Sequence, residues 1–205
     1  GAYDALTVGA QEVEAGAGVV ERLQFADSGH IDTAGVRNFI TGSLNADTAA
    51  ASSTSSGTWI FTGAGNDLLS GGAQGDVLIG GEGLDLSSGG DGDDQYAYWL
   101  GDGHDILDDT GGLDTLVFGG GIRIDDLNFR KGALSDVADP TSFVEAASGE
   151  AGVDLRIEII DPADGTTVLG SVTVRNYRDK DQMIERIRAS ALDKAIEALK
   201  ELDPV

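Results

Sequence analysis

Four aspartates, Asp67, Asp76, Asp85 and Asp94, recur at every ninth residue. The units around them read TGAGNDLLS, GGAQGDVLI, GGEGLDLSS and GGDGDDQYA. Glycine recurs at the first, second and fourth places and aspartate at the sixth. The eighth is usually apolar: Leu69, Leu78, Tyr96. Paired glycines let a chain turn sharply and aim its carbonyls inward. Carboxylates joined by such carbonyls make an all-oxygen cage for a hard cation. Calcium takes about six to eight oxygens at ~2.3–2.6 Å in a flexible arrangement, whereas magnesium prefers to keep its waters.

The charge distribution asks for the same cation. The chain has 205 residues and a formal net charge of −23. No Lys or Arg occurs over residues 38–122, a stretch that holds Asp47, Asp67, Asp76, Glu82, Asp85, Asp91, Asp93, Asp94, Asp102, Asp105, Asp108, Asp109 and Asp114. Each like-charged pair at ~4 Å repels by roughly 1 kcal/mol in water and by more in a folded interior. Something positive has to enter before this segment compacts. Such a surface repels nucleic acid and anionic lipid. There is no cysteine, so disulfides and thiolate sites are excluded. No apolar run is long enough to span a bilayer. The start, GAYDALTVGA, has neither a basic flank nor an apolar signal core, and we read the chain as a piece of a longer protein.

The elements that would position these groups follow from the period. Three residues after each aspartate suffice for one very short strand, whose apolar residue points inward before the next turn begins. Two units make one coil, so Asp67 is expected beside Asp85 and Asp76 beside Asp94. A fixed short period of this kind marks a stacked-coil architecture.

The motif resembles the calcium-binding nonapeptide of RTX, or haemolysin-type, proteins. That resemblance implies an all-β fold: a calcium-binding right-handed parallel β-roll over residues 41–110. It implies Ca²⁺ ligation by Asp67, Asp76, Asp85 and Asp94, with Gly63, Gly65, Gly71, Gly80, Glu82, Gly89 and Asp91 in the turns completing the set. Thr62, Gln74 and Ser87 depart from the pattern. STSSGTWIF fits the period with Thr58 at the aspartate place, a rung without a carboxylate. QYAYWLGDGHDILDD resembles the segment that closes such rolls, which adds Asp102, Asp105 and Asp108 as ligands. His104, within that loop, is expected to be a turn residue, because one other histidine and no cysteine make a poor zinc set.

Strands are expected to flank the roll. DTLVF ends at Phe118, and VDLRIEII alternates in the period of a half-buried strand. DPADG is turn chemistry, and SVTVRNY completes a β-hairpin. Residues 131–152 read as a long loop. VVERLQFADSG near the start matches MIERIRASAL near the end, and both resemble the closing strand of a module that follows RTX rolls. Residues 1–40 are then the tail of a preceding module or flanking strands, and 111–205 a C-terminal β segment. From Asp179 the apolar residues, Ile184 and Ile187 among them, also fit one face of a terminal helix.

Two functions from different classes fit. The first is a non-catalytic module, secreted or at the cell surface, that folds on calcium outside the cell; the resemblance implies export through a type I channel. The alternative is an adhesive or polysaccharide-binding module, with Trp59, Tyr96, Tyr98 or Trp99 stacking on extracellular glycan. The partners expected are calcium ions, neighbouring modules of the same chain or glycan, with no nucleic acid and no membrane span. The expectation is no enzyme: neither HExxH nor GxSxG occurs. In a calcium titration followed by circular dichroism, Asp85→Ala should raise the calcium midpoint more than Asp47→Ala, because Asp85 lies mid-stack. Equal midpoints would contradict the assignment.

Overall fold

Each nonapeptide lays down one short strand and one tight turn. The computed structural model describes residues 22–24, 30–32, 36–51, 56–147, 153–177 and 184–189. A short antiparallel pair, β1 (Arg22–Gln24) and β2 (His30–Asp32), comes first. The chain then alternates between two sheets. β3 (Val36–Thr41), β5 (Gly57–Ala64), β7 (Val77–Glu82), β9 (Gln95–Tyr98) and β11 (Thr115–Phe118) stack in parallel in one. β4 (Thr48–Ala50), β6 (Leu68–Ser70), β8 (Leu86–Ser88) and β10 (His104–Leu107) stack in parallel in the other. The result is an all-β parallel solenoid of about four turns.

The eighth-place residues meet between the sheets. In the first sheet Ile40, Ile60, Leu78, Tyr96 and Leu116 are register partners in one column. Ala49, Leu69, Ser87 and Leu107 form the facing column. Ile60, Leu69, Leu78, Tyr96 and Leu116 are almost wholly buried. Full burial of one such side chain is worth about 1.5–3 kcal/mol, so each rung of the stacked column adds to the local cohesion. Ser87 weakens it. A cavity of about 10 Å³, lined by Leu78, Ser87, Tyr96 and Leu107 among others, marks the missing volume.

The turns depend on glycine for space as well as for conformation. Gly81 and Gly83 have φ of +102° and +145°, and a β-carbon on either would collide with the carbonyl oxygen of Gly63 or Gly65 in the preceding coil. At Gln74 the chain does not adopt a left-handed conformation, so the turn over residues 71–76 follows a different path from its neighbours.

Beyond β11 the second sheet continues with antiparallel strands. β12 (Leu127–Leu134), β13 (Phe143–Glu145), β14 (Asp154–Ile160) and β15 (Val168–Val174) extend it in the order β13-β12-β14-β15-β10. The β14–β15 hairpin forms as its alternation predicts, with Ile157, Ile159, Val172 and Val174 in the core. Ion pairs and caps tie these strands to one another, and one ion pair ties them to the solenoid. Arg175 bonds Asp108 at 2.7 Å, and Arg130 bonds both Glu145 and Glu158 at 2.7 Å. Asp154 accepts from the Leu134 and Asn176 N–H groups. β16 (Arg186–Ala189) joins the first sheet parallel to β11.

Two expectations need correction. Residues 131–152 are not one loop, because Lys131–Leu134 belong to β12 and Phe143–Glu145 form β13. The expected terminal helix does not include Arg186–Ala189: the free edge of β11 recruits those residues as a strand, satisfying backbone groups that a helix would have left unpaired there. The rest of that expected helix lies outside the described residues.

Two glycines separate crowding from conformation. Gly101 has φ +109° with open space around its Cα, so Gly101→Ala should cost only the backbone strain, ~1–2 kcal/mol. Gly83→Ala adds a collision with backbone and should cost about 3 kcal/mol or more. Urea unfolding midpoints in saturating calcium will rank them; equal losses would contradict the stacking of these turns.

Candidate metal centre

The sixth-place aspartates form two columns, one on each edge of the solenoid. In the first, Asp67 Oδ1 accepts the Asp47 N–H at 2.7 Å, Asp85 Oδ1 accepts Asp67 N–H at 2.8 Å, and Asp105 Oδ1 accepts Asp85 N–H at 3.2 Å. In the second, Asp76 Oδ1 accepts Thr58 N–H at 2.5 Å, Asp94 Oδ1 accepts Asp76 N–H at 2.6 Å, and Asp114 Oδ1 accepts Asp94 N–H at 2.8 Å. Each carboxylate thus caps the turn of the coil before it. The expected pairs, Asp67 with Asp85 and Asp76 with Asp94, are adjacent rungs. The interval is 18 residues in the central coils and 20 at the ends, from Asp47 to Asp67 and where a rung reaches Asp105 or Asp114.

The second oxygens are the informative ones. Oδ2 of Asp67, Asp85, Asp94 and Asp114 is buried and has no hydrogen-bond partner among the described residues. These four side chains belong to residues at most 3% exposed. Burying an ionised carboxylate without compensation is expensive, so the group must either take up a proton or meet a cation. The first-place glycines leave room for this arrangement. A β-carbon on Gly71, Gly80 or Gly89 would strike Oδ2 of Asp76, Asp85 or Asp94, the carboxylate of its own unit. The donor set is entirely oxygen, which suits calcium.

Electrostatics reinforce the point. Burial, chiefly, pushes the Asp85, Asp94 and Asp102 carboxyls up to about 7, and neighbouring carboxylates add to it. Burial raises Asp76 and Asp114 as well, and Asp105 far above the ordinary carboxylate range.

The other expected ligands fall into several places. Asp105 continues the first column. Asp102 Oδ2 accepts the Trp99 N–H at 2.7 Å inside the preceding turn. Asp108 is bound to Arg175, which links the roll to β15. Glu82 and Asp91 have exposed side chains at the third place of their turns; the Glu82 carbonyl accepts the Gly65 N–H and the Gly72 carbonyl accepts the Asp91 N–H. Gly63 and Gly65 are left-handed, at φ +109° and +135°. His104, expected in a turn, instead begins β10, where pairing with β15 extends the backbone and sets Nδ1 3.0 Å from Ser171 Oγ. Thr58 occupies the aspartate place, as its unit predicts.

Three site residues escaped the sequence reading. Asp114 completes the second column. Asp109 is fully buried and accepts the Tyr96 hydroxyl at 2.5 Å. Glu185 ends the column by accepting the Asp114 N–H at 2.7 Å. The nine-residue count could have found Asp114, which lies nine residues after Asp105. Trp59, Tyr96 and Tyr98 are at most 3% exposed, so no sugar ring can stack on them. No protein-family model matches the chain, and no curated protein matches it in sequence.

The raised carboxyls set the pH dependence of the metal-free fold. Their folded pKa values exceed the unfolded value of about 3.9. The stability they contribute is therefore complete below about pH 4 and is lost as pH climbs through about 7. In chelator, the β circular-dichroism signal that the chain holds at about pH 5 should be lost as pH climbs to about 7.5. A signal that is flat or rises over that range would show that these side chains are not buried as described.

Proposed function

We propose that the chain is a non-catalytic, calcium-dependent folding module of a protein that works outside the cell. The observation that carries this reading is the set of buried Oδ2 atoms, stacked coil upon coil and lacking any partner among the described residues. Asp67, Asp76, Asp85, Asp94, Asp105 and Asp114 would hold the ions, assisted by carbonyls of the glycine turns. Calcium would supply the positive charge that the 38–122 segment lacks, and would let ionised carboxylates stay buried.

The magnitudes are sufficient. Ordering the chain costs about 1–2 kcal/mol per residue in backbone entropy, and Gly-rich turns are at the costly end. An extracellular-type site with Kd ~10⁻⁴ M gains roughly 1.5 kcal/mol at about 1–2 mM calcium. Three to five coupled sites would add about 4–8 kcal/mol, comparable to the whole stability of a small domain. In cytosol, where calcium is scarce, the chain stays unfolded. Unfolded chains suit a narrow export channel, which agrees with the type I route that the resemblance to haemolysin-type repeats suggests.

Circular dichroism with calcium titrated against magnesium is the direct test. Chelated protein should lack most of its β signal; calcium at sub-millimolar to millimolar concentration should restore it cooperatively, and magnesium at the same concentrations should not. The same compact β spectrum in chelator as in calcium would refute the proposal.

A further inference from the structure

The turn over residues 109–114 is built differently from the others. Register places Asp109 where the two preceding coils on that edge have Gly71 and Gly89: Asp91 bridges Gly111, and Leu86 pairs with Ile106. A glycine that offers only backbone is thus replaced by a carboxylate. Asp109 is fully buried. Its Oδ1 takes the Tyr96 hydroxyl at 2.5 Å, and its Oδ2 takes the Gly111 N–H at 3.0 Å. Tyr96 in turn accepts the Gly89 N–H at 2.6 Å, so the phenol orients the carboxylate.

Asp94 and Asp114 approach the same point. Each spends Oδ1 on the backbone of the coil before it and leaves Oδ2 buried without a partner. One ligand oxygen from each of Asp94, Asp109 and Asp114 lies within 4.8 Å of the other two. Arg186 and Arg188 on neighbouring β16 are exposed. Resting on the calcium reading above, we infer that Asp94, Asp109 and Asp114 form a distinct three-carboxylate site that binds one hard oxygen-seeking cation, calcium or a lanthanide, more tightly than the other positions and fills first. Affinity in calcium sites rises with the number of charged ligands, and among the described residues no other group of three carboxylates lies this close together. A trivalent ion gains still more from three anions.

Calorimetric calcium titration of the full chain should show one tight ion followed by a weaker class. Asp109→Asn keeps the shape and the acceptor for Tyr96 but removes the charge. It should weaken the tight class at least about tenfold, with the weaker class and the calcium-saturated β spectrum unchanged. Asp67→Asn should alter only the weaker class. Tyr96→Phe gives a reading that does not depend on how well Asp109→Asn folds. Bound terbium is excited through nearby aromatic rings, so the first equivalent should emit several-fold less in Tyr96→Phe while calcium still displaces it. A tight class untouched by Asp109→Asn, or first-equivalent emission untouched by Tyr96→Phe, would overturn the inference. A wild-type chain that takes up no calcium would instead sink the folding reading itself.

Discussion

The fold depends on one repeated interaction, a buried aspartate oxygen accepting a backbone N–H from the coil before it. That bond does two things. It satisfies a turn donor that would otherwise be orphaned, and it fixes the vertical spacing of the coils. It also commits the carboxylate to the interior, where its other oxygen needs charge compensation. Stacking and counter-charge are therefore one problem. The apolar columns of Ile60, Leu78 and Leu116 cohere only if the turns on either edge close.

Because each coil touches mainly its neighbours, stability is nearly a sum over adjacent pairs. The weak rungs are identifiable. Ser87 leaves a void in the core, the 71–76 turn lacks a left-handed residue at Gln74, and Thr58 brings no carboxylate. The antiparallel β12–β15 sheet is the opposite kind of element. Its register is held by cross-strand packing and by Arg130 and Arg156, the latter 4.4 Å over the Phe143 ring, with no buried carboxylate stack of its own.

Much of this was legible in sequence because the period of nine is strict where it matters. It places Asp67 beside Asp85, puts Leu69 and Leu78 inside, and marks Thr58 as the silent rung. The site was less legible at its C-terminal end. Two extra residues between Asp94 and Asp105 break the count, and the unit DTGGLD lacks the leading glycine, so Asp109 and Asp114 count among the acids of the 38–122 stretch without a place in the ligand pattern. Glu185 was invisible because it arrives from 71 residues downstream. The 186–189 segment carries apolar residues that fit helix and strand equally, and the unfilled edge of β11 decides. Lys131–Leu134 shows weak alternation around a glycine and becomes a strand because β14 lies alongside.

Glu185 has a consequence for how the aspartate column ends. A column of aspartates that donates a bare N–H at its last rung would be an invitation to a second copy, whose first carboxylate could continue the series indefinitely. The longer glutamate closes that last donor from within the same chain, and in the companion sheet β15 still runs parallel to β10 while β14 reverses direction against it. At this end the aspartate series is closed by a residue of its own chain, leaving no open donor for a neighbour's carboxylate to extend.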